Sequence, residues 1–234
     1  MSLSSHRLKA LLHVVVKDWV RPCALFFLIV APLKSAIVDW NWVPTGSMKP
    51  TILEGDLVLI DKLAYDLRVP FTLQRVARWE EPARGDVVVC FSPADGARLV
   101  KRVIALPGDV VEMRQNRIFL NGAPLAYAAA ETAPLSGSAA PGAAFAWERL
   151  DERQHWVMAQ PDRPALRSFP PQRVPAGQYF LLGDFRDNSH DSRFFGPVAR
   201  EQIIGRARAV LVSFDLHQYL RPRLSRFFRP LAGS

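Results

Sequence analysis

The chain has 234 residues, of which 49% are hydrophobic, so it is long enough to bury a core and too apolar to be disordered. Its formal net charge is +8 at pH 7, which suits nucleic acid, anionic lipid or an acidic protein as a partner. The lysines and arginines of segments 2–21 and 217–234 lie among apolar residues, which favours lipid over nucleic acid. Cys23 and Cys90 lie in distant segments and predict no disulfide, and the scattered histidines show no metal-ligand spacing.

The first forty residues predict a basic segment followed by a membrane anchor. Trp19 and Trp40 flank an apolar run, and a helix between them would cover about 31 Å, close to one hydrocarbon thickness. We therefore expect residues 1–18 to be cytoplasmic and residues 19–40 to form a transmembrane helix. One alternative is a cleaved signal peptide, which the bulky residues after the run disfavour because they offer no small-x-small pair. The other is a buried soluble helix kinked at Pro32.

After residue 50, short apolar runs alternate with Gly-Asp and Asn-Gly turns, which is typical of an all-β domain. The predicted strands are 56–60, 87–91, 99–106, 110–113, 117–120, 155–159, 178–182 and 203–212. Residues 126–147 are rich in alanine, proline, glycine and serine, which predicts a loop or a loosely ordered insertion. In residues 214–234, apolar residues recur at three- and four-residue intervals with arginines between them. This pattern favours either an interfacial helix, which Pro222 weakens, or a frayed basic tail.

Ser47 is a candidate nucleophile. It lies between a glycine and a methionine in a stretch with a proline near each end, five residues after Trp42. A serine nucleophile needs a base. The consecutive residues Ser189, His190 and Asp191 cannot easily form a relay, because neighbouring side chains diverge. The alternative interpretation of the Ser47 stretch is a rigid loop that leaves a helix.

Lys101 is the better candidate for the base. In the predicted strand, Leu99, Lys101 and Val103 would share one face, with Arg102 on the other. Burial on an apolar face lowers the pKa of a lysine from about 10.4 and leaves a neutral amine that can accept a proton. The alternative is that both cations are solvated on the strand surface. The polar segment 183–193 is either a turn or a set of groups that surrounds the site.

Three stretches are read together: Pro44-Thr45-Gly46-Ser47-Met48-Lys49-Pro50-Thr51, Lys101-Arg102-Val103-Ile104-Ala105-Leu106-Pro107-Gly108-Asp109, and Gly183-Asp184-Phe185-Arg186-Asp187-Asn188-Ser189-His190-Asp191-Ser192-Arg193. In this order, behind an apolar segment, they resemble the signature boxes of bacterial type I signal peptidases (leader peptidases). The resemblance implies a coiled antiparallel β-sheet catalytic domain tethered by an N-terminal transmembrane helix. That all-β domain would comprise residues 41–125 and 171–213, with a variable insertion at 126–170. Residues 214–234 would form a basic tail that could contact the membrane interface.

The same resemblance implies roles for individual residues. Ser47 would attack the scissile carbonyl, and Lys101 would take its proton and later return it to the leaving amine. The Ser47 N–H and the Thr45 hydroxyl would stabilise the oxyanion, and Ser189 would hydrogen-bond to Lys101. Family members often carry serine at the Thr45 position and asparagine at the Phe185 position. The implied supporting residues are Asp184, which would pair with Arg102, and Asp191 and Arg193 nearby. The implied substrate-lining residues are Val43, Pro44, Met48, Leu53 and Val100.

The implied activity is removal of signal peptides from exported preproteins after Ala-x-Ala-type sites, through an acyl-enzyme. The implied location is the bacterial inner membrane, with a cytoplasmic N-terminus and an extracytoplasmic catalytic domain. The expected partners are secretory preproteins and phospholipid, without nucleic acid, cofactor or metal. One alternative is a specialised Ser-Lys peptidase for a single secretion or conjugation client. Another is a non-catalytic membrane-anchored β module that binds anionic lipid or nucleic acid.

Overall fold

The structure, a computed structural model, describes residues 13–72, 74–129, 142–216 and 218–231. Most of the predicted basic segment, residues 1–12, lies outside the described residues. So do residues 130–141 of the predicted insertion and residues 232–234 of the predicted tail.

The described part of the chain contains eighteen strands, two α-helices, and short π and 3₁₀ turns between them, and residues 13–15 are also helical. The helices are α1 (Arg21–Ala36) and α2 (Ser192–Phe195). The strands are β1 (Val38–Trp42), β2 (Asp56–Asp61), β3 (Asp66–Arg68), β4 (Arg75–Arg78), β5 (Val87–Phe91), β6 (Arg98–Ala105), β7 (Val110–Arg114), β8 (Arg117–Leu120), β9 (Ala123–Pro124), β10 (Ala126–Ala129), β11 (Ala144–Leu150), β12 (Arg153–Ala159), β13 (Phe169–Arg173), β14 (Gln178–Leu182), β15 (Val198–Ala199), β16 (Ile203–Asp215), β17 (Arg221–Pro222) and β18 (Arg229–Pro230).

The N-terminal helix ends before the predicted anchor does. A π-helical turn at Val16–Val20 leads into α1, which ends at Ala36. The prediction that the helix reaches Trp40 is wrong, because residues 38–42 form β1 and pair antiparallel with β2. The valine and tryptophans of β1 favour extended backbone, and a partner strand satisfies that backbone's hydrogen bonds. Across the part of the chain that the structure describes, no helix has the length and apolar character needed to cross a bilayer.

The main sheet has nine strands in the order β1-β2-β16-β5-β6-β14-β15, with β17 and β18 also paired to β16. Its strand pairs are antiparallel, which confirms the predicted all-β class. The 13-residue strand β16 pairs with β2 on one side and β5 on the other, and register shifts in both pairings curl the sheet. Because side chains alternate along a strand, Val87 and Val88 of β5 pack into different hydrophobic clusters.

The described part of the region predicted as a loose insertion is largely sheet. Strands β10, β11 and β12 form one three-stranded sheet, and β13, β7, β8 and β9 form a four-stranded sheet. The expectation of a loop over 126–147 is therefore wrong where β10 and the first part of β11 lie. Trp147 and Trp156 face each other across β11 and β12, with ring centroids 3.9 Å apart. The alanines between the large side chains of β11 conceal its alternation in the sequence. The predicted boundary at residue 171 falls inside β13, which pairs with β7.

The C-terminal segment folds back on the main sheet and is not the predicted interfacial helix. Pro222 and Pro230 lie in β17 and β18, and proline disrupts a helix interior because it has no N–H. The Arg226 guanidinium is buried and donates to the Asp56 carboxylate, with Nη2–Oδ2 at 2.6 Å. Leu231 is buried in a core cluster that also contains residues of β2 and β16. Long-range pairing therefore fixes this segment.

Candidate active site

Ser47 is held in a compact loop between β1 and β2. The ends of the loop are joined because Val43 N donates to Asp56 O at 2.9 Å. The Ser47 carbonyl accepts a hydrogen bond from Phe185 N at 3.0 Å. This contact holds the loop against the segment after β14. Because it uses the backbone N–H of Phe185, it does not depend on which side chain is present at this position.

Lys101 reaches the loop from β6, and its Nζ lies 2.7 Å from Ser47 Oγ. It pairs across the strands with Val88 and is 3% exposed. Leu99 and Val103, on the same face of β6, pack with Val88 in one hydrophobic cluster. Burial lowers the pKa of Lys101 below the usual lysine value, and the opposing charges of Asp191 and Asp184 do not cancel this effect. A buried amine with a lowered pKa beside a hydroxyl is the arrangement that a neutral lysine base requires.

Arg102, the next residue of β6, lies on the other side of the strand against Asp184. Their contact is bidentate, with Nε–Oδ1 at 2.8 Å and Nη2–Oδ2 at 2.7 Å, and both side chains are 1% exposed. Burial alone would raise the pKa of Asp184, but the Arg102 charge and its hydrogen bonds lower it overall. The Thr51 hydroxyl also donates to Asp184 Oδ2. Asp184 therefore links the Ser47 loop to β6 through side chains.

Asp191 and Arg193 form a second buried pair behind the loop. Arg193 donates to Asp191 through Nε and Nη2, each at 2.8 Å. Asp191 also accepts from the Arg193 backbone N–H, which caps α2, and from Gly183 N at 3.1 Å. His190 points elsewhere and stacks on Phe194, with ring centroids 5.2 Å apart. The three consecutive residues thus make separate contacts, as expected when neighbouring side chains diverge.

Ser189 is close to the loop but does not make the predicted hydrogen bond to Lys101. Its Oγ is buried and has no hydrogen-bond partner among the described residues. The Oγ instead lies against Gly183, where an added Cβ would overlap both Ser189 Oγ and the Ser47 carbonyl oxygen. Gly183 was identified in the sequence only as part of a turn, yet its missing side chain lets these two serines approach.

The remaining predicted residues lie around the loop with different exposures. Thr45 and Pro44 are exposed. Val43 and Met48 are buried in a hydrophobic cluster against which the half-buried Val100 packs. Leu53 is 3% exposed and belongs to the loop's own interior, where its N–H donates to Asp56 Oδ2 at 2.8 Å. The buried residues Val43, Met48 and Leu53 form the apolar part of the Ser47 loop.

A buried charged network next to the site was not anticipated. Arg186 donates to both oxygens of Glu148 at 2.6 and 2.7 Å, and His155 Nε2 lies 3.2 Å from the same carboxylate. Burial opposes the charge on Glu148, yet Arg186 and His155 lower its pKa well below the usual value. Glu148 and His155 lie in the three-stranded sheet of β10, β11 and β12. In the same sheet, Met158 N donates to Asp184 O at 2.8 Å, which joins the sheet to the segment after β14. Glu148 and His155 are opposite each other on β11 and β12. The sequence could have suggested this contact only if β11 had been predicted as a strand.

Comparison with known proteins identifies the family. The family model described as signal peptidase, peptidase S26, matches residues 16–212. The chain belongs to this signal peptidase family. It is 37% identical over 210 residues to signal peptidase I of Pseudomonas fluorescens, covering 84% of this chain and 71% of that protein. It is 35% identical over 199 residues to signal peptidase I of Pseudomonas aeruginosa, covering 80% and 69% respectively.

A solved signal peptidase I from Enterococcus faecalis is 29% identical, covers 54% of this chain and 97% of its own, and superposes with a TM-score of 0.33. The signal peptidase match includes Ser47, Lys101 and every supporting residue described above, whereas the tail after residue 212 lies beyond it.

Proposed function

We propose that this chain is a serine endopeptidase that removes signal peptides from exported preproteins by a Ser47–Lys101 dyad. The observation that supports it most directly is the 2.7 Å separation of Lys101 Nζ and Ser47 Oγ, with the lysine 3% exposed. Family membership supplies the substrate class, since the curated relatives are signal peptidases.

In the proposed reaction, neutral Lys101 accepts the Ser47 proton as Oγ attacks the carbonyl carbon of the scissile bond. The ammonium then donates that proton to the leaving amine as the peptide C–N bond breaks and an acyl-enzyme forms. Lys101 next removes a proton from water, whose oxygen attacks the ester carbonyl; as the ester C–O bond breaks, the Lys101 ammonium donates that proton to Ser47 Oγ and the hydroxyl is restored. One neutral amine suffices for both half-reactions because each returns it to the neutral state.

The negative charge on the attacked oxygen needs donors placed in advance. We assign the Ser47 N–H and the Thr45 hydroxyl to this role. Thr45 is exposed, so its hydroxyl is accessible to a peptide that lies along the loop. We assign positioning roles to Asp184 and Arg102, which link the Ser47 loop to β6, and to the Asp191–Arg193 pair, which holds Gly183 N. For Ser189, whose buried Oγ has no hydrogen-bond partner in the described part of the chain, we propose a bond to Lys101 that forms when substrate binds.

Cleavage after Ala-x-Ala requires shallow apolar subsites that exclude long side chains. We propose that the cluster of Val43, Met48 and Val100 forms the floor of these subsites, with Pro44 and Leu53 at their margins. Small residues would fit above a closely packed apolar floor, and larger ones would overlap it.

We further propose that the chain acts at a membrane, with its N-terminus cytoplasmic and its catalytic domain extracytoplasmic, as a single-pass protein. The apolar side chains of α1 support this, since Leu25, Phe26, Phe27 and Leu28 are all more than half exposed. A contiguous exposed apolar surface of this kind marks a lipid or protein contact. Trp42 and Leu224, also exposed at opposite ends of the sequence, would add interfacial contacts.

The dyad is tested with Ser47→Ala and Lys101→Met in the full chain. Each variant should lose preprotein processing almost completely, and the double variant should be little worse than either, because the two groups act as one unit. Lys49→Met is the matched control, since Lys49 is two residues from Ser47 but pairs with Glu54 at 3.3 Å. Processing by either dyad variant at the control rate would exclude the mechanism. A panel of unrelated Ala-x-Ala precursors, compared in the same assay, separates a general enzyme from a single-client one.

A further inference from the structure

A cavity whose lining includes no residue of the Ser47 loop lies at the C-terminal end of α1. It has a volume of about 340 Å³, and its lining includes Ser35 of α1 and the three basic residues Lys62, Arg68 and Arg98. The lining residues among those described include no carboxylate. None of these four side chains takes part in the chemistry proposed above.

The basic side chains exceed the negative charge available to them. Asp39 is approached by Lys62 at 3.4 Å, by Arg98 at 3.0 Å and by Lys34 at 3.6 Å, so one carboxylate serves three cations. Burial lowers the pKa of Lys62, Asp39 opposes that shift, and Arg98 and Arg68 add to it by repulsion. Arg68 faces Asp66, but that carboxylate also contacts Arg75 and Arg200. The cations around the cavity therefore outnumber these two carboxylates, and an anion in the cavity would offset the excess charge.

Arg68 supplies donors that the protein does not fully use. Its side chain is 95% buried, since its exposed fraction is 5%. Nε donates to Asp66 at 2.9 Å and Nη2 donates to Ile203 O. The buried Nη1 has no hydrogen-bond partner among the described residues. A buried donor without a partner is uncommon in folded proteins, and an arginine fork is well suited to the oxygens of a phosphate.

Apart from Thr72, the rest of the cavity lining is apolar. Phe71, which is 72% exposed, and Phe91 line it together with Ile204. Ser35, which also lines it, belongs to the same helix as the exposed apolar side chains described above. An anionic group in the cavity could therefore be attached to an acyl chain that continues along α1.

Lys62 Nζ donates to Ser35 O at 2.9 Å, so this lysine supplies positive charge to the cavity and not a free N–H. We propose that this cavity is a binding site for a phosphate-bearing anion, with Arg68 and Arg98 as its donors, Lys62 as a further positive charge, and Phe71 and Phe91 as contacts for an attached apolar chain. The ligand chemistry is that of an anionic glycerophospholipid head group or a free phosphate. The site does not depend on the dyad, so it can be tested whether or not the proposed peptidase activity is found.

The test titrates the full chain, in micelles of an uncharged detergent, with dihexanoyl phosphatidylglycerol, dihexanoyl phosphatidylcholine or inorganic phosphate, measured by calorimetry. We expect phosphatidylglycerol to bind at least about ten-fold more tightly than phosphatidylcholine, because choline places a cation beside three others. Lys62→Gln/Arg98→Gln should weaken anion binding by about ten-fold or more. The control is Arg173→Gln, an exposed arginine on the separate sheet of β13, which should change nothing.

Arg98→Lys keeps the charge and guards against misfolding: it should bind within about three-fold of the parent chain while Arg98→Gln does not. Circular dichroism and the urea midpoint establish that each variant is folded. Binding of phosphatidylglycerol without inorganic phosphate assigns the site to lipid, and comparable binding of both assigns it to phosphate itself. Either result supports the proposal. No saturable anion binding, or equal loss in the Arg173→Gln control, overturns it.

Discussion

Asp184→Asn should destabilise the chain strongly and reduce processing. The substitution removes the charge that pairs with Arg102 through contacts of 2.8 and 2.7 Å, at a site where both side chains are 1% exposed. Breaking a buried ion pair by changing one partner costs about 3–5 kcal/mol. For a chain of this size, that loss lowers the melting temperature by about 6–20 °C. The Thr51 hydroxyl also donates to this carboxylate, so the Ser47 loop should become less well positioned.

The assay is urea unfolding of the full chain in detergent micelles, with the free energy of unfolding obtained by linear extrapolation. Glu201→Gln is the control, because Glu201 is 67% exposed and lies 3.8 Å from Arg75; it should stay within about 0.5 kcal/mol of the parent. The variant Arg102→Met/Asp184→Leu removes both charges and should cost less than the sum of the single changes. A loss below about 1 kcal/mol for Asp184→Asn, or strict additivity in the double variant, would refute the argument.

Three further predictions concern the same region. The pKa of Lys101 is lowered, so its neutral form prevails from a lower pH than in a free lysine, and kcat/KM should rise with pH through a pKa below about 10.4; an ascending limb at or above that value would contradict the dyad. Gly183→Ala should lower kcat/KM about 100-fold, because a Cβ displaces the nucleophile's carbonyl; unchanged kinetics would exclude this coupling. Arg186→Met leaves the Glu148 carboxylate buried without its arginine and should lower the free energy of unfolding in urea by about 3–5 kcal/mol. The control Arg114→Met removes an exposed ion pair and should leave the free energy of unfolding unchanged. Equal losses in the two variants would refute the prediction that burial makes the difference.

Much of the fold could be predicted from local patterns. The strands β2, β5, β6, β7, β8, β12, β14 and β16 coincide with apolar runs bounded by turn residues. Those signals are short-range, since alternation and turn chemistry act within a few residues. Strand β1 was assigned instead to the end of a helix, because its tryptophans fit a membrane interface equally well. Only its pairing with β2 distinguishes the two.

The site could be predicted in part. The motifs singled out Ser47 and Lys101, and the alternation of β6 placed Lys101 on an apolar face. The approach of the Ser47 carbonyl to Gly183 could not be predicted, because it depends on how two loops meet. Nor could the Glu148–Arg186 pair, whose partners are 38 residues apart and lie on different elements.

The amino-acid sequence by itself determined the all-β class, the order of the main strands and the residues that carry the family motifs, because each is encoded in neighbouring residues. The tertiary structure alone decided where the N-terminal helix ends, how the tail packs and which charges are buried together. The Arg226–Asp56 pair, 170 residues apart, shows why. Such contacts depend on the folding of the whole chain, since no local pattern specifies which strand edge or buried carboxylate an arginine will meet.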